Sequence, residues 1–397
     1  MRKILGFLVV AVLLITATIV PNIIGKKIES EYKKTILETP SEIKLDLISY
    51  ERDWFSSKAV INLNIFLDNR YEKIGTVTQE ISHGIFLGSA PFFAVATSKD
   101  KLDLIDEFND LFDGEAVSGT SVINLDGSLS AKYTIAQSSK NISDVVWSRS
   151  PVKISFSPKS KKFDFSFDVA TFAFEDQGVS NLAIRSSGTL DSLNLGDTTI
   201  KIGKVLLHEG RIDGVFVGTK TKLENNKVAV DTSFLVDSIA TQKKTIKNLK
   251  WDFVLKDLDP KLLKNYLEIV ENFDSEYLED DLIAILIEMG DSGATIGTNI
   301  YMEDDGKVAD FKANISTNKN AFFTPAFPFS LVNKINIDLD LLIDRAIVYE
   351  YDPEFDRNYL ELFIKGNFVQ IDKNNKIKAK IAIENGKILL NGKELPF

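Results

Sequence analysis

The sequence predicts a mainly β protein, α+β in class: a long, twisted, mostly antiparallel sheet with a few packed helices, preceded by one N-terminal transmembrane helix. Three observations carry that expectation. Runs in which apolar and polar residues strictly alternate recur roughly every 10 to 20 residues along the 397-residue chain, the period-two signature of half-buried strands. Phenylalanine stands at 27 positions, against ten tyrosines and three tryptophans, and Phe with β-branched residues favours pleated surfaces. At the N-terminus, Ile4 to Gly25 form an uncharged run of 22 residues between Arg2-Lys3 and Lys26-Lys27.

A hydrocarbon core of roughly 30 Å needs about 20 apolar residues in helical form, so Ile4 to Gly25 is long enough to span a membrane. A cleaved signal peptide is the competing reading. The stretch before the lysines, Thr18 to Gly25, offers no Ala-x-Ala site for such cleavage. Lysines flank both sides, yet large domains translocate largely regardless of charge, and a short tail before a long body reads as a signal-anchor with the body exported. The membrane is therefore an expected partner through residues 4–25. Lys26 to Leu37 continues as a helical stalk, with Ile24, Ile28, Tyr32 and Ile36 every four residues and a Glu29–Lys33 pair, until Pro40 stops it.

From Tyr50 the chain reads Tyr50-Glu51-Arg52-Asp53-Trp54-Phe55-Ser56-Ser57-Lys58-Ala59, then alternates, with Ile61, Leu63, Ile65 and Leu67 on one face. Ile81-Ser82-His83-Gly84 precedes Pro91-Phe92-Phe93-Ala94-Val95, and Asn385-Gly386-Lys387-Ile388-Leu389-Leu390-Asn391-Gly392-Lys393 closes the chain. These three stretches, with Tyr50, Arg52, Trp54, Phe55, Ser56, Ser57, His83, Gly84, Asn385, Gly386, Asn391 and Gly392 as their recognisable positions, resemble the YdgA-like family of bacterial envelope proteins. Asp53 stands where that family's pattern has glycine, and Ile85 where it has proline. The resemblance implies an anchored protein of the bacterial inner membrane with its body in the periplasm. It implies no reaction, because the family's biochemical role is not established.

Ser98 to Asp113 is expected to be a helix, capped by Ser98, with Leu102, Ile105, Phe108 and Phe112 on one face. Phe163, Phe165, Phe167 and Val169 then alternate as a strand whose parity switches before Phe172 and Phe174. A bulge near Ala170, or burial of both faces, would explain the switch. Leu249, Trp251, Phe253 and Leu255 alternate again, and Asp259-Pro260 opens a helical segment, 261–289. Asp305-Gly306 reads as a hairpin turn, Ile335 to Leu341 as a one-sided strand, and Asn385-Gly386 as the type I′ turn of a last hairpin. A boundary near residue 245 would divide the chain into an anchor (1–25), a β-rich part (26–245) and a second β-rich part (246–397).

Lys and Arg number 47 against 57 Asp and Glu, a net charge of −10, and no basic stripe is present, which excludes nucleic acid as an expected partner. There is no cysteine, so disulfides, thiolate chemistry and Cys-based zinc sites are excluded. Only His83 and His208 could serve as imidazole bases, and neither has an identifiable orienting partner in sequence. Gly119-Thr120-Ser121 does not match a nucleophile elbow, and no phosphate-cradling Gly-rich loop occurs. The acidic run Glu279-Asp280-Asp281 suits a helix N-terminus better than a cation. No catalytic, cofactor-binding or metal-ligating residue is singled out, and no cofactor is expected. The function expected is non-catalytic: an apolar sheet face presented to a lipid or an envelope-protein client. A scaffolding role, and less readily a hydrolase using His83 or dispersed carboxylates, are the alternatives.

Overall fold

The computed structural model describes residues 43–52, 56–67, 70–83, 94–106, 111–112, 115–124, 126–138, 145–190, 193, 195–242, 244–264, 288, 292–317, 334–351, 354, 359–384 and 386–395. Ile4 to Gly25 and the expected stalk lie outside them, and among the described residues no helix is long and apolar enough to cross a membrane. The protein is mainly β and antiparallel. Its chain divides into two compact units, Met1–Leu190 with Val205–His208, and Asp191–Lys204 with Glu209–Phe397. Strand β11 (Gly196–Leu207) contributes to both.

In the first unit the strands are β1 (Ile43–Arg52), β2 (Ser56–Leu67), β3 (Arg70–His83), β4 (Ala94–Leu104) and β5 (Val117–Asn124). They continue as β6 (Leu129–Ile135), β7 (Val145–Trp147), β8 (Ser150–Ser157), β9 (Lys162–Phe174) and β10 (Gln177–Thr189). Each of β1 to β5 pairs antiparallel with the next, β6 pairs with β8, and β9 carries β8 and β7 end to end on one side and β10 on the other. One face of this meander is buried. Leu63, Val77, Leu102, Val117, Ile135, Val152 and Phe167 belong to a single core drawn from all of its strands. Each such aliphatic side chain, fully removed from water, contributes about 1.5–3 kcal/mol.

The helix expected over Ser98–Asp113 is not formed at its start, because Ala94–Leu104 is strand β4. Ala96, Ser98, Asp100, Leu102 and Leu104 all point into the core, while Lys99, Lys101 and Asp103 face out. The alternation is intact. It is hidden in the sequence because two of the five inward positions are polar. Asp106 is helical, and residues 107–110 lie outside the description. The parity switch in β9 has a local cause. Pairing with β10 is interrupted at Ala170 and Asn181, and Asn181 sits at φ +55°, which lets Phe172 join Trp147 at 5.6 Å on the core side.

The second unit contains β12 (Gly210–Glu224), β13 (Lys227–Thr241), β14 (Thr245–Leu258), β15 (Thr295–Asp304), β16 (Lys307–Thr317) and β17 (Ile335–Asp344). Helices α1 (Arg345–Tyr351) and α2 (Leu360–Lys365) follow, then β18 (Gln370–Ile371), β19 (Lys376–Glu384), β20 (Lys387–Leu390) and β21 (Lys393–Glu394). Strands β12 to β17 pair in chain order, β17 pairs with β19, and the other side of β19 is taken by β18 and β20. The expected turns are present. Asp305 and Gly306 take φ +48° and +79° between β15 and β16, and Gly386 takes φ +78° where β19 turns into β20. The segment 261–289 opens as expected, with Asp259 Oδ1 accepting the Lys261 N–H at 3.0 Å and residues 260–264 helical. Beyond that only Glu288 is described, and it is helical.

Helix α1 is tied to the sheet by Lys244, between β13 and β14. Its ammonium pairs with the fully buried Asp304 and with Glu350 at 2.6 Å, and lies 4.0 Å from the centre of the Tyr351 ring. Burial alone would push the Lys244 pKa down. The hydrogen bonds to Asp304, Glu350 and Tyr351 outweigh it and hold the ammonium above the usual lysine range.

Candidate functional site

The register of the second unit assembles one surface from many strands. Directly opposed residues share a face. One row runs Val217, Phe234, Trp251, Ile300, Phe311, Leu341 and Ala379, one residue from each strand between β12 and β19. The next row is Thr219, Thr232, Phe253, Thr298, Ala313, Leu339 and Ile381, and a third is Thr221, Val230, Leu255, Ile296, Ile315, Ile337 and Ile383. No residue in these rows is charged. The three threonines of the middle row and the indole are hydrogen-bonded in pairs. Thr219 and Thr232 hydroxyls lie 3.3 Å apart, and Trp251 Nε1 donates to Thr298 Oγ1 at 2.9 Å.

The opposite face carries the charged residues of these strands. Asp252, Asn299, Lys312, Asp340 and Lys380 oppose one another in a single row, and Ser233 donates to Asp252 at 2.9 Å. Burial raises the Asp252 pKa, but hydrogen bonds from Lys250, Ser233 and Asn299 overcome that and hold the carboxyl below its ordinary range. Charge alternating in sign across strands belongs to a hydrated face.

Described helical residues cover the apolar face only at two ends. Leu262 and Leu263 pack on Val228, Leu255 and Leu258 at one end of the strands. At the other, Leu360 of α2 and Val369 cluster with Ile377, against Val348, Ile343 and Ala379. Between these ends Trp251 is 48% exposed and Ile300, directly opposite it, 40%. Large apolar side chains exposed at the centre of a sheet, rather than at its rim, mark a surface that meets something else. The outer side of α2 also carries apolar residues, Leu362 at 62% exposed with Phe363, Ile364 and Phe368 beside it, next to the exposed Glu361–Lys365 pair.

The first unit holds a carboxyl that burial shifts strongly. Asp100 is buried in the apolar core, with Ser98 Oγ donating to it at 2.8 Å, Tyr133 Oη at 2.8 Å and Gln79 also hydrogen-bonded. Ser98 in turn meets the Ser121 hydroxyl at 3.0 Å. Burial pushes the Asp100 carboxyl up to about 6, and the hydrogen bonds from Ser98, Tyr133 and Gln79 offset only part of that rise. Tyr133 reaches Asp100 because Gly119 separates them on β5; a Cβ there would stand 2.8 Å from Tyr133 Cε1 and 2.5 Å from the Lys132 carbonyl oxygen. With Asp100 only 2% exposed, the cluster is enclosed by the core and acts as a titrating brace rather than a place where substrate docks.

The family-pattern residues fall into two places. Tyr50 and Arg52 end β1, and Ser56 and Ser57 start β2, with Arg52 opposite Ser57, so the described part of the first stretch lies at the paired ends of these two strands. Ser56 lies opposite Ser82, and the backbone of His83 ends β3 opposite Ala96, which brings the second stretch to the same end of the sheet. Trp54, Phe55, Gly84 and Asn385 lie outside the described residues. The third stretch belongs to the second unit. There Asn391 (φ +49°) and Gly392 (φ +78°) turn β20 into β21, Asn391 Oδ1 accepts the Lys380 N–H at 2.8 Å, and its amide donates to the Asn367 carbonyl at 2.6 Å. Those contacts are structural.

His208 pairs at its Nδ1 with Asp176 at 2.8 Å on an exposed surface. Among the described residues no group of three or more His, Asp or Glu is placed to hold a metal ion, and Glu279-Asp280-Asp281 lie outside them. Sequence reasoning found Trp251 as a strand residue but not its exposure. It missed Gln79, Asp100, Ser121 and Tyr133 as a cluster, whose one available signal was the even-numbered spacing of Ser98 and Asp100 with Ala96, Leu102 and Leu104.

No curated protein and no solved structure matches the chain. Residues 1–286 match the model of a family described as a bacterial protein of unknown function (DUF945). The chain belongs to that family.

Proposed function

We propose that the protein is a single-pass envelope protein of the YdgA-like kind, held in the bacterial inner membrane by Ile4 to Gly25 with its body in the periplasm. On this reading it works without catalysis, and its second unit presents an apolar sheet face to a lipid or protein client. The observation that carries the reading is the opposed pair Trp251 and Ile300, both exposed in the middle of the uncharged rows. A face of this kind left to water forfeits about 25 cal/mol for each Å² of apolar surface, which favours a client that covers it.

Native mass spectrometry of the full-length protein, taken gently from its own membrane, tests the client. Reproducible added masses that Ile300→Glu removes are expected, and a bare mass in both mild detergent and lipid discs overturns the reading. Topology has its own test, because the chain lacks cysteine. Lys365→Cys is expected to react with a membrane-impermeant maleimide in intact spheroplasts; labelling only after lysis would place the body in the cytoplasm.

A further inference from the structure

Resting on that reading, we infer that the client is a membrane phospholipid, whose acyl chains lie across the strands on the uncharged rows centred on Trp251 and Ile300. Three features of the second unit separate hydrocarbon from polypeptide. Every strand from β13 to β17 is hydrogen-bonded on both sides, so a client chain finds no free strand edge to extend within this face. The rows also offer little to a peptide's amides, with four threonine hydroxyls as their polar side-chain groups besides the Trp251 indole. They carry no charge, the Thr219 and Thr232 hydroxyls lie together, and Thr298 takes the Trp251 indole N–H. An extended peptide laid there would bury unpaired N–H and C=O groups, whereas an acyl chain has none to pair.

The third feature is α2. Its Leu360 is fixed in the core cluster that closes one end of the face, against Ile343, Ile377 and Ala379 of β17 and β19. Its outer side turns Leu362, Phe363 and Ile364 to solvent, with Phe368 edge-to-face on Phe363 at 5.7 Å. Apolar and aromatic residues grouped this way, with Tyr359 and the Glu361–Lys365 pair exposed beside them, suit the polar-apolar boundary of a bilayer rather than its hydrocarbon core. The lipid source therefore stands at the end of the surface that would receive it. Dimensions agree: strands lie about 4.8 Å apart, so the span from β12 to β19 is on the order of 29 Å. One leaflet's acyl chains occupy about half of a roughly 30 Å hydrocarbon core, and fit within that span.

The test uses the full-length protein in phosphatidylcholine discs that contain a phospholipid with a photoactivatable diazirine on one acyl chain. A diazirine-bearing apolar peptide is offered in parallel, and adducts are mapped by mass spectrometry. Lipid adducts on the β14–β16 rows, around Trp251, Ile300 and Phe311, are expected, with at least a tenfold loss in Ile300→Glu. Thermal unfolding of that variant is expected to match the parent, because Ile300 is already exposed. Peptide adducts on those rows without lipid adducts would overturn the lipid assignment and keep a client-binding face. Adducts from neither probe would remove the face as a binding surface altogether. Lipid adducts confined to α2 would leave a membrane contact and overturn the seating of acyl chains on the sheet.

Discussion

The Tyr133 hydroxyl donates to Asp100 at 2.8 Å across a strand that has no side chain at Gly119. The ring lies in the gap that the glycine leaves. Gly119→Ala places a methyl group against both the ring and the Lys132 carbonyl, and neither can move without breaking the β5–β6 ladder or the hydrogen bond to Asp100. A loss of about 2–4 kcal/mol is expected from overpacking together with the broken bond. Tyr133→Phe, which removes only the hydroxyl, is expected to cost about 1–2 kcal/mol. Urea unfolding of the two variants checks this, and a Gly119→Ala midpoint equal to the parent's would show that the ring does not depend on the gap.

Asp100 makes stability depend on pH in an unusual direction. Its folded pKa is about 6 against an ordinary 3.8, so the folded chain keeps the proton through a range in which the unfolded chain has lost it. Stability from this group is therefore fully present below the unfolded value. It declines between about pH 4 and pH 6, and is level above that, a total change on the order of 3 kcal/mol. Asp126, Asp259, Asp372 and Glu303 are held below their ordinary ranges and act in the opposite sense, losing stability as the pH falls. The contrast with Asp100→Asn isolates the single group. Relative to the parent, the variant should gain stability from pH 4 to pH 7, measured by denaturant unfolding across that range. A constant difference would mean that Asp100 does not titrate there.

Lys244→Met leaves the fully buried Asp304 without its cation and removes one of the two lysines, the other being Lys307, that hold Glu350 of α1 to the sheet. Breaking a buried pair on one side costs about 3–5 kcal/mol. Adding Asp304→Asn should recover a large part of that loss, since the stranded charge is then gone. Thermal unfolding of the single and double variants decides it. Because the ammonium is held above the usual lysine range, its share of stability persists through neutral pH and fails only in strongly alkaline solution.

Asn391→Ala removes two ties at once, the acceptor for the Lys380 N–H and the donor to the Asn367 carbonyl. A cost of about 1–3 kcal/mol is expected, together with faster hydrogen exchange at the Lys380 amide. Exchange there that is unchanged would assign the asparagine to the turn alone, where φ +49° already favours it over most residues.

Much of the fold was written in the spacing of residues. The Phe163–Val169, Leu249–Leu255 and Ile335–Leu341 runs are strands with the faces their alternation predicts, and the Asp305-Gly306 turn sits where positive φ is needed. Strand β4 was misread because Ser98 and Asp100 occupy inward positions that sequence patterns reserve for apolar residues. Their partners explain why they are tolerated there, and those partners are remote: Tyr133 lies 33 residues from Asp100. Lys244 and Glu350, 106 residues apart, were equally invisible. The uncharged face could be guessed strand by strand. That its centre is exposed while its ends are covered depends on how the helices pack, and no periodicity reports that.

Within each unit, nearly every strand pairs with the one just before it in the chain; where the order is broken, as from β6 to β8 or β17 to β19, only one short strand is skipped. Such a sheet can be assembled while the chain is still arriving. Each newly delivered strand meets an edge that already exists, so few contacts wait on distant sequence and the entropy of closing long loops is largely avoided. A chain threaded N-terminus first through a pore can therefore fold in step with its own delivery, each new strand closing the edge left by the one before it.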